Sequence, residues 1–379
     1  MRVGFLIDRW QPDRGGAERA LAELAAGLAE RGHDPRVFAA EGTGEIHRVR
    51  GGFALTRGAR ERALGEALAA AAQADSCDVT VGIRHLPRVD LYWPHAGGHA
   101  AALRGLRSAQ RGRLLAPDEV RAAGRHRAFL DMERALLDGG GARRIACVSE
   151  LVLRELASAH PRAAPRLVLV PDAVDTERFH PRERERSGAR LRRELEIDPA
   201  TPLLGFSARR PELKGLPAVF EALAGLRERP WRLLAAGTSD AGAWSARARA
   251  AGLDPERVLV VPQVEPSAFA AAIDVLLHPT WRDACGLVVL EALAAGTPVV
   301  TTSQAGAAEA VVSQAQGAVL PDPGDVPALR AAIGRSLDRL AGAPVDRDAV
   351  RSAVVARDRA SWLRSLESIL LDLAERRPV

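Results

Sequence analysis

Short runs rich in valine, isoleucine and leucine alternate with longer stretches of alanine, leucine and arginine along nearly the whole chain. This alternation constrains the fold more than any other feature. Strands separated by helix-length segments join as parallel crossovers, and a parallel sheet needs helices on both faces. Residues 3–7, 35–39, 79–83, 145–148 and 167–170 read as strands of a first sheet. Between the first two, residues 17–31 read as a helix with Leu21, Leu24, Ala25 and Leu28 on one face and Gly32 as its stop. From 175 to 198 the composition turns polar and charge-dense, with Pro181 and Gly188 inside, which predicts a connection between domains. The rhythm then restarts, with strands expected at 203–206, 233–235, 258–261, 275–277, 298–301 and 318–320. Residues 360–377 read as an amphipathic helix carrying Trp362, Leu366, Ile369 and Leu373 on one stripe. The expectation is α/β: two Rossmann-like, doubly wound domains, with ligands taken at the carboxyl ends of their strands in the cleft between them.

The 379 residues exceed one comfortable core, and 47% apolar with 27% charged residues is the composition of a folded protein. No apolar run approaches the roughly 20 residues of a membrane span, and MRVGFLID opens no signal peptide. Cys77, Cys147 and Cys285 are too far apart for a metal site of short spacing and odd in number for a disulfide framework, so a reducing, cytoplasmic compartment is expected. Of the 53 basic residues only Lys214 is lysine. An ammonium kept where every other cation is a guanidinium suits a place where the planar fork does not fit, with chance as the bland alternative for a single residue. The net charge of +5 is also uneven: Gly97–Arg127 holds seven arginines against two acids, an excess equal to that of the whole chain. Such a segment suits an anionic membrane surface or a phosphorylated glycan, and equally a solvated pair of helices. Nucleic acid is not expected, because that basic stretch has no aromatic residue to stack on bases before Phe129.

Three loops carry candidate chemistry. Gly15 and Gly16 precede the first long helix, where glycine admits a ligand to the backbone and the helix start favours an anion. Residues 207–215, from Ser207 through Arg209 to Lys214 and Gly215, follow the first strand of the second half and bring cations to one loop, which suits a diphosphate. The third is Asp283-Ala284-Cys285-Gly286-Leu287 continuing to Glu291, with Asp283 expected before a helix and Glu291 inside it, about 8 Å along its axis from Gly286. Carboxylates at both ends would accept hydroxyl groups, while the amides between them hold phosphate. Asp346-Arg347-Asp348 is the sole Asp-x-Asp and carries little weight as a metal site.

These motifs together resemble a retaining GT-B glycosyltransferase of family 4 over nearly the whole length. The resemblance rests on the Gly15–Gly16 loop, Pro171-Asp172-Ala173-Val174-Asp175, the loop from Arg209 to Lys214, the acid-x7-Glu motif and the final helix. Residues 81–93 and 284–302 are further similar to bacterial lipopolysaccharide-core glucosyltransferases, whose basic membrane-facing segment falls where this chain has Gly97–Arg127. The family's Glu-x7-Glu begins here with Asp283, and its Pro-Asn-Gly-Val-Asp is Pro-Asp-Ala-Val-Asp.

The resemblance implies an acceptor domain over 1–178, a nucleotide-sugar donor domain over 179–358, and a helix over 359–379 that packs back on the first domain. By position, Arg209 and Lys214 bind the donor diphosphate and Glu291 holds the ribose. Asp283 and the amides of Gly286 and Leu287 meet the sugar and phosphate. Gly15, Gly16 and Ser207 line the donor, Gln263 and Val264 lie by the base, and His95 stands by the reacting sugar, with His99 its rival. The implied reaction moves a hexose, glucose among the candidates, from a nucleotide sugar such as UDP-glucose to a glycan or glycolipid acceptor in lipopolysaccharide biosynthesis. No metal or other cofactor is expected, and the enzyme would be cytoplasmic or peripheral on the inner face of the plasma membrane. The competing reading is a degenerate binding protein without turnover, motivated by Asp283 and by Ala96, where related enzymes carry aspartate.

Overall fold

The computed structural model describes residues 1–12 and 16–376. The chain divides into two compact units: Met1–Leu103 with Pro117–Asp172 and the stretch from Ala360 onward, and Arg104–Ala116 with Ala173–Arg359.

The first unit is built on seven parallel strands: β1 (Arg2–Trp10), β2 (Asp34–Gly42), β3 (His47–Arg48), β4 (Val79–Gly82), β5 (Val89–Tyr92), β6 (Ala142–Cys147) and β7 (Leu167–Leu169). Their order is β3-β2-β1-β4-β5-β6-β7. The first five helices of the chain are α1 (Gly16–Glu30), α2 (Arg57–Ala74), α3 (His99–Arg111), α4 (Arg125–Leu137) and α5 (Glu150–Ala159). β1 is buried from Val3 to Ile7, and α1 sets Leu21, Leu24 and Leu28 into the same core. Local chemistry fixes the helix starts: Thr56 Oγ1 accepts from Ala59 N at 3.1 Å and Ser149 Oγ from Val152 N at 3.2 Å. β3 and β5 escape the sequence pattern. The first has two residues, and the second carries Asp90, whose carboxylate is satisfied by Thr80 Oγ1 at 2.8 Å and Arg143 at 3.0 Å.

The second unit carries α6 (Ser187–Glu194), β8 (Leu203–Ser207), α7 (Leu216–Ala224), β9 (Arg232–Ala236), α8 (Ala241–Ala250), β10 (Val258–Val261), α9 (Pro266–Ala272), β11 (Val275–His278), α10 (Leu287–Ala294), β12 (Val299–Thr302), β13 (Gly317–Leu320), α11 (Val326–Gly342) and α12 (Arg347–Arg351). Its six strands are parallel in the order β10-β9-β8-β11-β12-β13. Leu204, Phe206, Val219, Phe220, Leu223, Trp231, Val275 and Ile333 form one core layer. β8 and β11 are covered on both faces, as continuous apolar runs require.

The charge-dense stretch read as a connection is in part structural. α6 belongs to the second unit, and its Arg192 is buried, donating to Asp274 Oδ2 at 2.5 Å and to Ala272 O at 2.8 Å. Arg184 reaches the same carboxylate. Gly188 lets α6 lie against the backbone of Ala271, since a Cβ there would come within 2.8 Å of it. Arginine-rich composition reads as solvated surface until a buried carboxylate supplies its partner.

The last helix, α13 (Arg359–Glu375), lies against first-unit residues from Ala360 onward. Trp362 faces Trp93 with ring centroids 5.7 Å apart, and Leu363 abuts Gly27. Glu367 pairs with Arg31 at 2.7 Å and His33 at 2.9 Å. The amphipathic stripe of the sequence therefore has its apolar partner through Trp362, Leu366 and Leu373, with Leu370 buried in place of the expected Ile369, which is only half-buried.

Candidate functional site

In the second unit, strand order reverses between β8 and β11, the first strand and its neighbour on the other side. The carboxyl ends of those two strands mark the switch point, where open α/β sheets take ligands. The loop after β8 bears Ser207, Arg209 and Lys214; the loop after β11 bears Asp283 and leads into α10.

Backbone contacts join the two loops. Trp281 N donates to Leu213 O at 2.9 Å, and Thr280 Oγ1 to the same oxygen at 3.2 Å. Gly215 sits at φ +86°, and a Cβ there would fall 2.1 Å from Pro279 O. Only glycine permits both that conformation and that approach. The β11 loop is pinned in turn to the loop after β12: Asp283 N donates to Gln304 O at 2.9 Å and Gly306 N to Asp283 O at 3.0 Å.

This framework brings Lys214 Nζ within 2.5 Å of Asp283 Oδ2, and the same ammonium donates to Arg282 O at 3.1 Å. A third group completes the contact: His278 Nε2 lies 3.1 Å from that same Oδ2. His278 ends β11 and is 1% exposed, whereas the side chains of Lys214 and Asp283 keep 19% and 21% of their surface. Burial pushes the Asp283 carboxyl up, but the ammonium and the histidine hydrogen bond outweigh it and hold the group well below the ordinary carboxylate range. Burial lowers His278, with its bond to Asp283 opposing. The imidazole is therefore neutral, and a neutral ring facing a carboxylate carries its hydrogen on Nε2.

α10 starts at Leu287, with Gly286 at φ +89° as its N-cap. Val289 N donates to Gly286 O at 2.8 Å, which leaves the amides of Leu287 and Val288 at the helix start, where they can receive an anion. Glu291 lies within α10, half-buried and partnered. Arg209 is exposed and Ser207 half-buried. Gln263, exposed, and Val264 lie in the loop after β10, three strand positions from β11 or about 14 Å along the sheet edge. The second-unit candidates thus all lie at or beyond the carboxyl edge of one sheet, and two of them touch.

In the first unit, Gly16 opens α1, and Gly15 lies outside the described residues. His95 follows β5 in a turn where Gly97 N donates to Pro94 O at 2.8 Å. Its ring lies against Trp93 at 4.1 Å between centroids, and Nδ1 is 3.8 Å from Asp172 Oδ2, in the Pro-Asp-Ala-Val-Asp motif. Burial pushes the His95 imidazole down to about 3, so it is neutral. His99 has a different setting. It is the first residue of α3, its amide donates to Glu133 at 2.6 Å, and its Nε2 meets His126 Nδ1 at 3.1 Å. Six of the seven arginines of Gly97–Arg127 are exposed, and Arg104 is half-buried. Asp346 caps α12, accepting from Ala349 N at 3.0 Å. Among the described residues no helix is long and apolar enough to cross a membrane.

Sequence reasoning missed His278. Its only signal was a polar residue ending the otherwise apolar run Val275-Leu276-Leu277. It also left Asp172 without a partner, since the proximity of residues 95 and 172 is a matter of sheet order.

Residues 14–178 match the family described as Glycosyltransferase Family 4, and residues 201–339 match the Glycosyl transferases group 1 family. The lipopolysaccharide glucosyltransferase WaaG of Escherichia coli K12 is 24% identical over 334 residues, covering 85% of this chain and 86% of that protein. A D-inositol 3-phosphate glycosyltransferase of Pseudarthrobacter chlorophenolicus is 34% identical over 189 residues, 47% of this chain and 43% of its own. Among solved structures, WaaG, a glycosyltransferase involved in lipopolysaccharide biosynthesis, superposes with a TM-score of 0.79 at 22% identity, covering 97% of this chain and 99% of its own. The Anabaena protein HepE, solved with UDP and glucose, superposes with a TM-score of 0.72 at 17% identity, covering 98% and 99%. Two parallel Rossmann-like sheets, a Family 4 domain before a group 1 domain, and the likeness to WaaG make this chain a glycosyltransferase of the GT-B fold.

Proposed function

We propose that this glycosyltransferase moves a hexose, with glucose the first candidate, from a nucleotide diphosphate sugar to a lipid-linked or phosphorylated glycan such as a lipopolysaccharide core, retaining configuration at the anomeric carbon. The observation that carries the donor half is the contact of the chain's sole lysine with the first acid of the acid-x7-Glu motif, at the point where strand order reverses. A movable ammonium beside the amide-bearing start of α10 suits a diphosphate. In the reaction the bond from the anomeric carbon to the diphosphate oxygen breaks, and the acceptor oxygen bonds on the same face. The acceptor's proton leaves with the diphosphate. Lys214 and Arg209 neutralise the charge that grows on the leaving group, and Glu291 takes the ribose hydroxyls. With those cations in place the reading needs no metal.

Support for glucose and UDP comes from relatives: WaaG is named a glucosyltransferase, and HepE is solved with UDP-glucose. Support for an anionic acceptor surface comes from the exposed arginines of Gly97–Arg127, each worth about 1 kcal/mol near an anionic leaflet.

The test is incubation of the protein with UDP-glucose and a truncated lipopolysaccharide core, with the new linkage read by NMR. Transfer with the donor's anomeric configuration, unaffected by EDTA, is expected. Inversion, or full loss of activity in EDTA, overturns the mechanism. Nucleotide-sugar binding with no transfer to any acceptor establishes the binding protein instead. Sedimentation with vesicles containing anionic lipid, lost at high salt, is expected for the surface.

A further inference from the structure

We infer that His278 is a positioning residue that keeps Lys214 exchangeable, by serving as the second donor to the carboxylate that holds the lysine. The inference deepens the donor-site reading and rests on it.

Lys214 and His278 converge on one oxygen, Asp283 Oδ2, at 2.5 Å and 3.1 Å. The other oxygen of that carboxylate is not needed by either. A lysine that is to serve a diphosphate must leave this oxygen when the ligand arrives. Without a second donor, its departure would strip a largely buried carboxylate of its compensation, at the full cost of leaving a charged group unsatisfied. The Nε2–H of His278 remains when the ammonium moves. It also draws off part of the carboxylate's acceptor strength beforehand, so the ion pair holds Lys214 less tightly.

His278 is built for one place. Its ring is buried, Thr301 Oγ1 donates to its carbonyl at 3.0 Å, and Thr280 N donates to the same oxygen at 2.8 Å. Its Nδ1 is buried with no hydrogen-bond partner among the described residues. The ring spends only the nitrogen that faces Asp283, and the lone pair on Nδ1 leaves the hydrogen with Nε2. A solvated surface pair would gain nothing from such a group, because water supplies the second donor. Here the side chains of Lys214 and Asp283 are each about four-fifths covered.

Lys214 is the only lysine, so amine labelling reports on one side chain besides the chain's amino terminus. The experiment compares the full-length protein with His278→Leu, His278→Gln and His278→Asn, each first checked for a native circular-dichroism spectrum and melting temperature. The rate of Lys214 trinitrophenylation is followed by mass spectrometry, and UDP affinity by calorimetry. A glutamine amide reaches the place of Nε2, whereas an asparagine amide reaches that of Nδ1. His278→Leu is expected to slow labelling about tenfold, because the lysine is then held more tightly by the carboxylate. It is also expected to weaken UDP about tenfold, raising donor KM more than it lowers kcat. Gln restores both and Asn neither. Asp283→Asn combined with His278→Leu releases the lysine and returns labelling to at least the wild-type rate.

Labelling unchanged in a folded His278→Leu protein, or restored equally by Asn and Gln, overturns the inference. If the wild-type protein fails to bind UDP or any other nucleoside diphosphate, the donor-site reading falls. The labelling series still decides whether His278 loosens the lysine.

Discussion

Glu133 and Asp283 are both held by histidine, and the two settings differ in whether a partner can leave. In the first unit Glu133, 1% exposed, faces His85 Nε2 at 3.2 Å and His160 Nε2 at 3.4 Å, and accepts from His99 N at 2.6 Å. Asp138 holds the far nitrogen of His160 at 2.9 Å. Burial pushes Glu133 up, but these donors win and bring it down to about 2. Each donor comes from a different part of the unit: His85 after β4, His99 at the start of α3, His160 after α5. The net is closed, and its effect is to fix α4 among those elements. In the second unit Asp283 has one histidine and one lysine, and the lysine retains surface. The chemistry is the same, but a long, one-fifth-exposed ammonium exchanges partners where a buried imidazole does not. The closed network holds the fold together, and under the proposed function the open one receives the charged ligand.

The contrast predicts opposite outcomes on the two sides. Lys214→Ala should cut turnover about a thousandfold, the scale of losing a preorganised charge at a transition state, with the melting temperature nearly unchanged. Lys214→Arg should recover little, because the fork does not replace a compact ammonium. Retention of most activity by either variant breaks the comparison. Glu133→Ala should do the reverse, removing about 3–5 kcal/mol in urea denaturation while leaving donor KM alone. A folded, fully stable variant would show that the network is not structural.

Gly286→Ala sharpens the comparison on the open side. A Cβ there would meet Ala307 at an ordinary 3.5 Å, so only the positive φ opposes it. The expected cost is about 1–2 kcal/mol of stability, together with weaker UDP binding as the start of α10 shifts. The smallest effect concerns pH. Burial lowers His160, but its bonds to Glu133 and Asp138 prevail and raise its folded pKa above 6.5. Its contribution is therefore complete below pH 6.5 and lost as pH rises through the folded value. The stability difference between wild type and His160→Gln should be widest near pH 6 and shrink toward pH 9. A difference that is flat with pH removes the ion-pair account.

Much of the fold was legible because its signals are local. Apolar runs of strand length between helix-length stretches dictate parallel crossovers wherever they occur, and both sheets follow. Capping hydroxyls and carboxylates, the stop at Gly32 and the stripe of the last helix also act within a few residues. Lys214, Asp283 and Gly286 stood out for the same reason, as departures from a strong local background. The elements that escaped were β3, too short to show a period, and β5, whose Asp90 hides its buried character. The buried face of α6 escaped too, because its arginine is paid for by Asp274, distant in sequence.

By itself, then, the sequence determined the two βαβ series, the positions of the loops that follow their strands, and the residue types available there. Tertiary structure alone decided which of those residues meet. Strand order places β11 beside β8, and that adjacency, with Gly215 closing on Pro279, sets Lys214 against Asp283 across 69 positions of chain. The same adjacency gives His278 its role, and sheet order in the first unit brings His95 near Asp172. Propensity and patterning are short-range, whereas a hydrogen bond is indifferent to sequence separation once the sheet has chosen its neighbours.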